Sequence, residues 1–372
     1  MPANSRYTSL DGLRGVAALV VLVSHCCLAS PLLALAVDSN GQGEFEPLVF
    51  WMTFTPLHLM WAGQEAVFVF FILSGFVLTL PFFRPSQPRW ATYYAKRAIR
   101  IYLPVWASLI FALVMSWLVP RVASPEHSSW INLHDESPNP LADAVLLQGT
   151  GSLNSPLWSL QWEMLFSLLL PLYVLTSLRF KRFWLLGVLG LVLLIGAADL
   201  MDMDGLVFLP MFGIGAMMAM RRQLLEKWAA RLGRPAWLGL VVTAILLLSS
   251  NWLVPQFPAT IAGSTLGGAV LLFIVIGCKA VITIGNCPPI QWLGIRSFSL
   301  YLVHEPIVVT VAMGMRISDP LQVALVAVPC SFATAAAFYW LVEQPSQQLA
   351  ASLAKAITAR AGRREEPVVV RP

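Results

Sequence analysis

The sequence predicts an all-α, polytopic membrane protein of about ten transmembrane helices, with both termini cytoplasmic. Three observations carry that prediction. The first is composition: of 372 residues, 58% are hydrophobic and only 12% charged, at a mean hydropathy of +0.72. A soluble domain needs more charge than this to cover its surface. The second is segmentation, because most of the chain divides into apolar runs of about 16 to 25 residues, each enough to cross a bilayer or nearly so. The third is charge alternation. With the N-terminus inside, every Lys and Arg falls on the cytoplasmic side except Arg121 and Arg316, while the opposite connections carry Asp38, Glu44, Glu46, Glu126, Glu136, Asp143, Asp199, Asp202 and Asp319.

In chain order the runs cover residues 16–37, 57–83, 101–120, 156–178, 183–198, 205–220, 236–254, 261–278, 297–315 and 321–341. The basic clusters from Arg84 to Arg100, Arg179 to Arg182 and Arg221 to Arg234 fall between alternate spans, as do Lys279 and Arg296. A pI near 9.1 therefore reflects a basic cytoplasmic face in contact with membrane lipids, and gives no reason to invoke nucleic acid. The connection from Arg121 to Ser155 carries Trp130 and His134 and is long enough to cover an opening. Residues 1–350 read as a single transmembrane domain, and 351–372 as a basic cytoplasmic tail that frays from helix into disorder. Ala34-Leu35-Ala36 resembles a signal-peptidase site, but the polar break Ser24-His25-Cys26-Cys27 before it argues against cleavage. The cysteines offer no outer disulfide framework, no Cys/His spacing suits a metal, and no glycine-rich loop suits a phosphate.

Ionisable residues inside apolar runs are costly and usually mark a pathway or a reaction site. Arg14 and His25 are the sharpest case. Eleven residues advance an ideal helix by three turns plus about 20°, so both side chains share one face, about 16 Å apart along the axis. The second run opens with Gln64-Glu65, and the fourth carries Leu157-Trp158-Ser159-Leu160-Gln161-Trp162-Glu163. The ninth holds His304-Glu305-Pro306, and the tenth closes at Glu343-Gln344-Pro345.

Taken in order, these segments resemble the acyltransferase-3 family of integral-membrane acyltransferases. The matching pieces are Leu10-Asp11-Gly12-Leu13-Arg14-Gly15 with His25; Phe70-Phe71-Ile72-Leu73-Ser74-Gly75-Phe76; Lys96-Arg97-Ala98-Ile99-Arg100-Ile101 with Pro104; Leu157-Trp158-Ser159-Leu160 with Glu163; Ser297 to His304; and Val342-Glu343-Gln344-Pro345. The resemblance implies a ten-helix transferase that moves an acyl group, most often acetyl from acetyl-CoA, to a hydroxyl of a carbohydrate or other envelope molecule. It also implies the cytoplasmic membrane if the source is bacterial. The sequence departs from the family pattern at Gln161-Trp162, where Ser-Val is common, and at Gln344, where Lys is common.

Chemistry assigns the expected roles. Acyl transfer from a thioester to a hydroxyl needs a base for the hydroxyl proton, and histidine titrates nearest neutral pH, so His25 is the expected base and Glu163 its orienting partner. Arg14, Lys96, Arg97 and Arg100 are expected to meet the phosphates of acyl-CoA, which is a donor substrate and not a permanently bound cofactor. Trp158, Trp162 and Glu65 are expected to contact a carbohydrate or glycolipid acceptor, while His304 and Glu305 are read as packing groups within the core. A macrolide or other small secreted molecule is the alternative acceptor. A proton-coupled transporter is the rival class, disfavoured by the lack of a visible inverted repeat and by the arginine loop.

Overall fold

The computed structural model describes residues 7–85, 87–135, 139–146, 151–255, 257 and 259–365, with side chains as far as Thr358. No strand occurs among them. Arg6, Glu136 and the expected disordered end, residues 366–372, lie outside the described residues. Each apolar run holds a helix. In chain order the main ones are α1 (Thr8–Leu28), α2 (Gly63–Thr79), α3 (Trp90–Leu118), α4 (Leu157–Arg179), α5 (Trp184–Asp199), α6 (Asp204–Met220), α7 (Arg234–Leu248), α8 (Thr260–Gly277), α9 (Pro288–Met315) and α10 (Pro320–Phe338). A π-turn at Tyr339–Glu343 leads from α10 into α11 (Gln344–Glu365).

Among the described residues, eight helices are long and apolar enough to cross a membrane. A ninth results if α6 and the helix Arg222–Ala229, bent from it by 71°, form one span. The remaining expected span, α7, has 15 residues, short of the roughly 20 that a straight crossing takes.

The first helix differs most from expectation. It begins at Thr8 and ends at Leu28, because Pro31 cannot continue it and instead opens a separate helix, Pro31–Asp38. His25 therefore sits in the last turn of α1 and not at its middle.

The packing is built around α1, which lies along α9 and also meets α2 and α10. Glycines permit these close approaches. A Cβ at Gly15 would meet the Gly294 nitrogen at 2.5 Å, and one at Gly215 on α6 would meet the Ile72 carbonyl oxygen on α2 at 1.9 Å. One buried cluster gathers Phe68, Phe71, Phe76, Phe166 and Phe212, and another gathers Leu22, Val105, Leu157, Val303 and Val308. Trp106, Ile110, Trp117 and Leu118 on α3 are exposed, as a lipid-facing surface requires.

Charge bias makes the sidedness testable. Ala123 and Gln87 are both exposed, on opposite sides of α3 in the chain. On a cysteine-free background, Ala123→Cys is expected to react with an impermeant maleimide in intact cells, and Gln87→Cys only after permeabilisation. Reversed labelling would overturn the orientation.

Candidate functional site

His25 is brought to a carboxylate, but not to the expected one. Its Nδ1 lies 3.5 Å from Glu305 Oε2, and its ring stacks on His304 at 4.9 Å and against Trp130 at 4.8 Å. Glu305 is fully buried and accepts hydrogen bonds from the Ser155 backbone N–H (2.6 Å), the Ser155 hydroxyl and His134 Nε2 (3.1 Å). The other nitrogen of His134 faces the Trp130 carbonyl at 3.0 Å. Both ring nitrogens of His134 thus face acceptors, so the ring bridges the Trp130 carbonyl and the Glu305 carboxylate.

The sequence explains how this cluster closes. Pro306 has no N–H for the carbonyl of Leu302, one turn earlier in α9. Asn154 Nδ2 donates to that carbonyl at 3.0 Å, which holds Ser155, the next residue, beside Glu305. The same connection is tied down by Arg121, whose guanidinium donates to the carbonyls of Ser152 (2.6 Å) and Leu153 (3.2 Å), and by the Ser128 hydroxyl, which donates to Leu28 at 2.6 Å. The described parts of the connection between α3 and α4 thus place Trp130, His134 and Ser155 around Glu305 and His25.

Glu163 lies in another cavity. It accepts from the Arg97 guanidinium and from the Ser74 hydroxyl at 3.1 Å, and Arg97 Nε also donates to Ser167 Oγ at 3.0 Å. This cavity, of about 330 Å³, is lined by Arg14, Arg97, Arg100, Ser74, Glu163 and Glu343, among others. Glu343 is held by the Ser299 hydroxyl and by Gln347 Nε2 at 2.9 Å. With Asp11, which also lines it, three guanidiniums and three carboxylates face one space, so the charges of the lining largely compensate one another.

A second cavity, of about 270 Å³, contains His25, Ser155, Trp158, His58 and Trp252. Tyr301 lines both cavities. Its hydroxyl is 2.7 Å from Ser159 Oγ and donates to the Pro156 carbonyl at 3.1 Å, so a single buried ring stands between the arginines and His25.

The structure brings Arg14, Arg97, Arg100 and Glu163 together, and brings Trp158 to the cavity of His25. It does not pair His25 with Glu163. Glu163 lies nearly two turns inside α4, whereas the early end of α1 puts His25 one turn from its terminus. Lys96 is exposed and does not line the arginine cavity. Trp162 packs against Phe208, at 5.5 Å between rings, outside both cavities. Glu65 is buried and accepts from Trp252 Nε1 at 2.8 Å. His304 and Glu305, read as packing groups, stand in contact with His25. His134 and Ser155 were missed as site residues. The available signals were Pro306 immediately after a buried His-Glu pair and a histidine in an unusually long outer connection.

A bundle of apolar helices enclosing a histidine–carboxylate cluster and an arginine-lined cavity defines a multi-pass membrane protein with buried ionisable sites. The acyltransferase-3 family model, described as an acyltransferase domain, matches residues 7–342, and the chain belongs to that family. It is also similar to the acyltransferase MdmB of Streptomyces mycarofaciens, with 28% identity over 192 residues, 49% of this chain and 43% of that protein. The match thus spans less than half of the curated relative. No solved structure matches the chain.

Proposed function

We propose that this protein transfers an acyl group, acetyl in the first place, from cytoplasmic acyl-CoA to a hydroxyl of an envelope or exported carbohydrate. The observation that carries the reading is the placement of Tyr301: the arginine-lined cavity and the cavity of His25 meet at one side chain. The positive-inside rule puts the arginine cavity on the side where acyl-CoA is made. Arg100 and Arg14 are its phosphate-binding groups, and Arg97 is held in place by Glu163.

The acyl arm extends past Tyr301 to His25. The acceptor oxygen forms its bond to the thioester carbon while its proton passes to His25, with Glu305 stabilising the imidazolium that results. The carbon–sulfur bond then breaks, and His25 returns the proton to the departing thiolate. No permanently bound cofactor enters these steps. At 3.5 Å the His25–Glu305 contact is longer than a hydrogen bond, and such catalytic contacts tighten in the loaded complex.

Mass spectrometry of envelope glycans and secreted metabolites, from cells with and without the gene, tests the reading. Loss of an acyl mass increment from a glycan is the expected result. Loss from a macrolide-like or other small secreted molecule would move the acceptor to that class, and loss from neither would overturn transfer to an exported acceptor.

A further inference from the structure

The cavity of His25 has a second end that the transfer steps leave unused. There His58, on the short 3₁₀ turn Pro56–Met60, is buried and stacks on Trp252 at 3.8 Å, with Trp61 at 4.2 Å on another side. Both His58 and Trp252 line the cavity. Trp252 is fixed from behind, because its indole N–H donates to Glu65 Oε1 at 2.8 Å. Trp252 also lines a larger groove, of about 820 Å³, walled by Phe45, Phe50, Phe54 and Phe257. The indole therefore stands where that groove meets the space in front of His25.

Two polar atoms in this cluster have no hydrogen-bond partner among the described residues: His58 Nδ1 and Glu65 Oε2. Of these two residues His58 lines the cavity and Glu65 does not, and a buried unpaired nitrogen on a cavity-lining ring calls for a ligand with a hydroxyl. An apolar acceptor would leave His58 unsatisfied. A ring that offers an apolar C–H face to an indole and hydroxyls at its edge satisfies both demands, and that combination is a sugar.

We propose that His58 binds a hydroxyl of the acceptor carbohydrate other than the one acylated, that Trp252 supplies the adjoining ring surface, and that Glu65 is the positioning residue of Trp252. The proposal rests on the carbohydrate reading above. It makes the distance between His25 and His58 the element that selects which ring hydroxyl is acylated.

The test uses the full chain in proteoliposomes with radiolabelled acetyl-CoA, and the methyl glycosides of glucose, galactose, mannose and N-acetylglucosamine as probe acceptors. With a glycoside that is acetylated, His58→Ala is expected to raise the acceptor KM about tenfold, with kcat held within about threefold and the KM for acetyl-CoA unchanged. His58→Gln restores part of the loss. Among monodeoxy versions of that glycoside, one loses affinity for the wild-type protein but not for His58→Ala, which identifies the bound hydroxyl. Trp252→Phe, which keeps a ring but abandons Glu65, gives a smaller rise in KM. If His58→Ala does not fold, the deoxy series on His58→Gln decides the same point. An unchanged KM in the His58 variants, or equal losses for every deoxy glycoside in both proteins, would overturn the subsite and leave the carbohydrate reading standing. Failure of the wild-type protein to acetylate any glycoside would overturn the carbohydrate reading and the subsite with it.

Discussion

His25→Ala is expected to lower acyl transfer by about 10² to 10⁴, the range supplied by a positioned general base. Glu305→Gln, which keeps an oxygen for Ser155 but removes the charge, is expected to fall within about tenfold of His25→Ala. The double variant should be little worse than either alone, because groups that act as a unit give strongly non-additive losses. Turnover of radiolabelled acetyl-CoA by the reconstituted protein measures all three. The carboxylate assignment is separately exposed to test by the pH–rate profile, which moves in Glu305→Gln and stays in place in Glu163→Gln. A profile that moves only in Glu163→Gln would return the pairing to the carboxylate expected from sequence.

Hydropathy and charge located every apolar run, since each depends on summed properties of many residues and tolerates errors of several positions. The shared face of Arg14 and His25 was equally legible, because helical periodicity alone fixes it. Depth was not. It was counted from an assumed first span over residues 16–37, whereas α1 runs from Thr8 to Leu28 and holds His25 in its last turn. Partner choice between helices then depends on packing contacts such as Gly15 against Gly294, and no periodicity within one helix encodes them. His134 and Ser155 were hidden for another reason. They arrive on an irregular connection whose course is set by isolated hydrogen bonds, those of Arg121, Ser128 and Asn154. The arginine cavity was better foreshadowed, because Arg97 and Arg100 lie one turn apart on α3 and so reach the same space.

Arg97 and Glu163 carry the second large effect, and here stability and activity separate. Their side chains are 16% and 19% exposed, so the pair is mostly withdrawn from solvent. Removing one partner of a buried pair leaves the other charge uncompensated, at a cost of about 3–5 kcal/mol, whereas removing both costs much less. Arg97→Ala and Glu163→Ala are therefore each expected to lower the thermal unfolding midpoint of the detergent-solubilised protein markedly, and the double variant is expected to recover most of the difference. Arg100 is exposed on the same helix, so Arg100→Ala should leave the midpoint near that of the wild type while raising the KM for acetyl-CoA. That rise should shrink for a truncated thioester without the nucleotide phosphates, because the charge-assisted contact is then missing from both sides of the comparison. A double variant as unstable as the worse single one would show that Glu163 does not serve to hold Arg97. An equal loss with full-length and truncated donors in Arg100→Ala would remove Arg100 from the phosphate site and leave Arg14 as the remaining guanidinium to carry it.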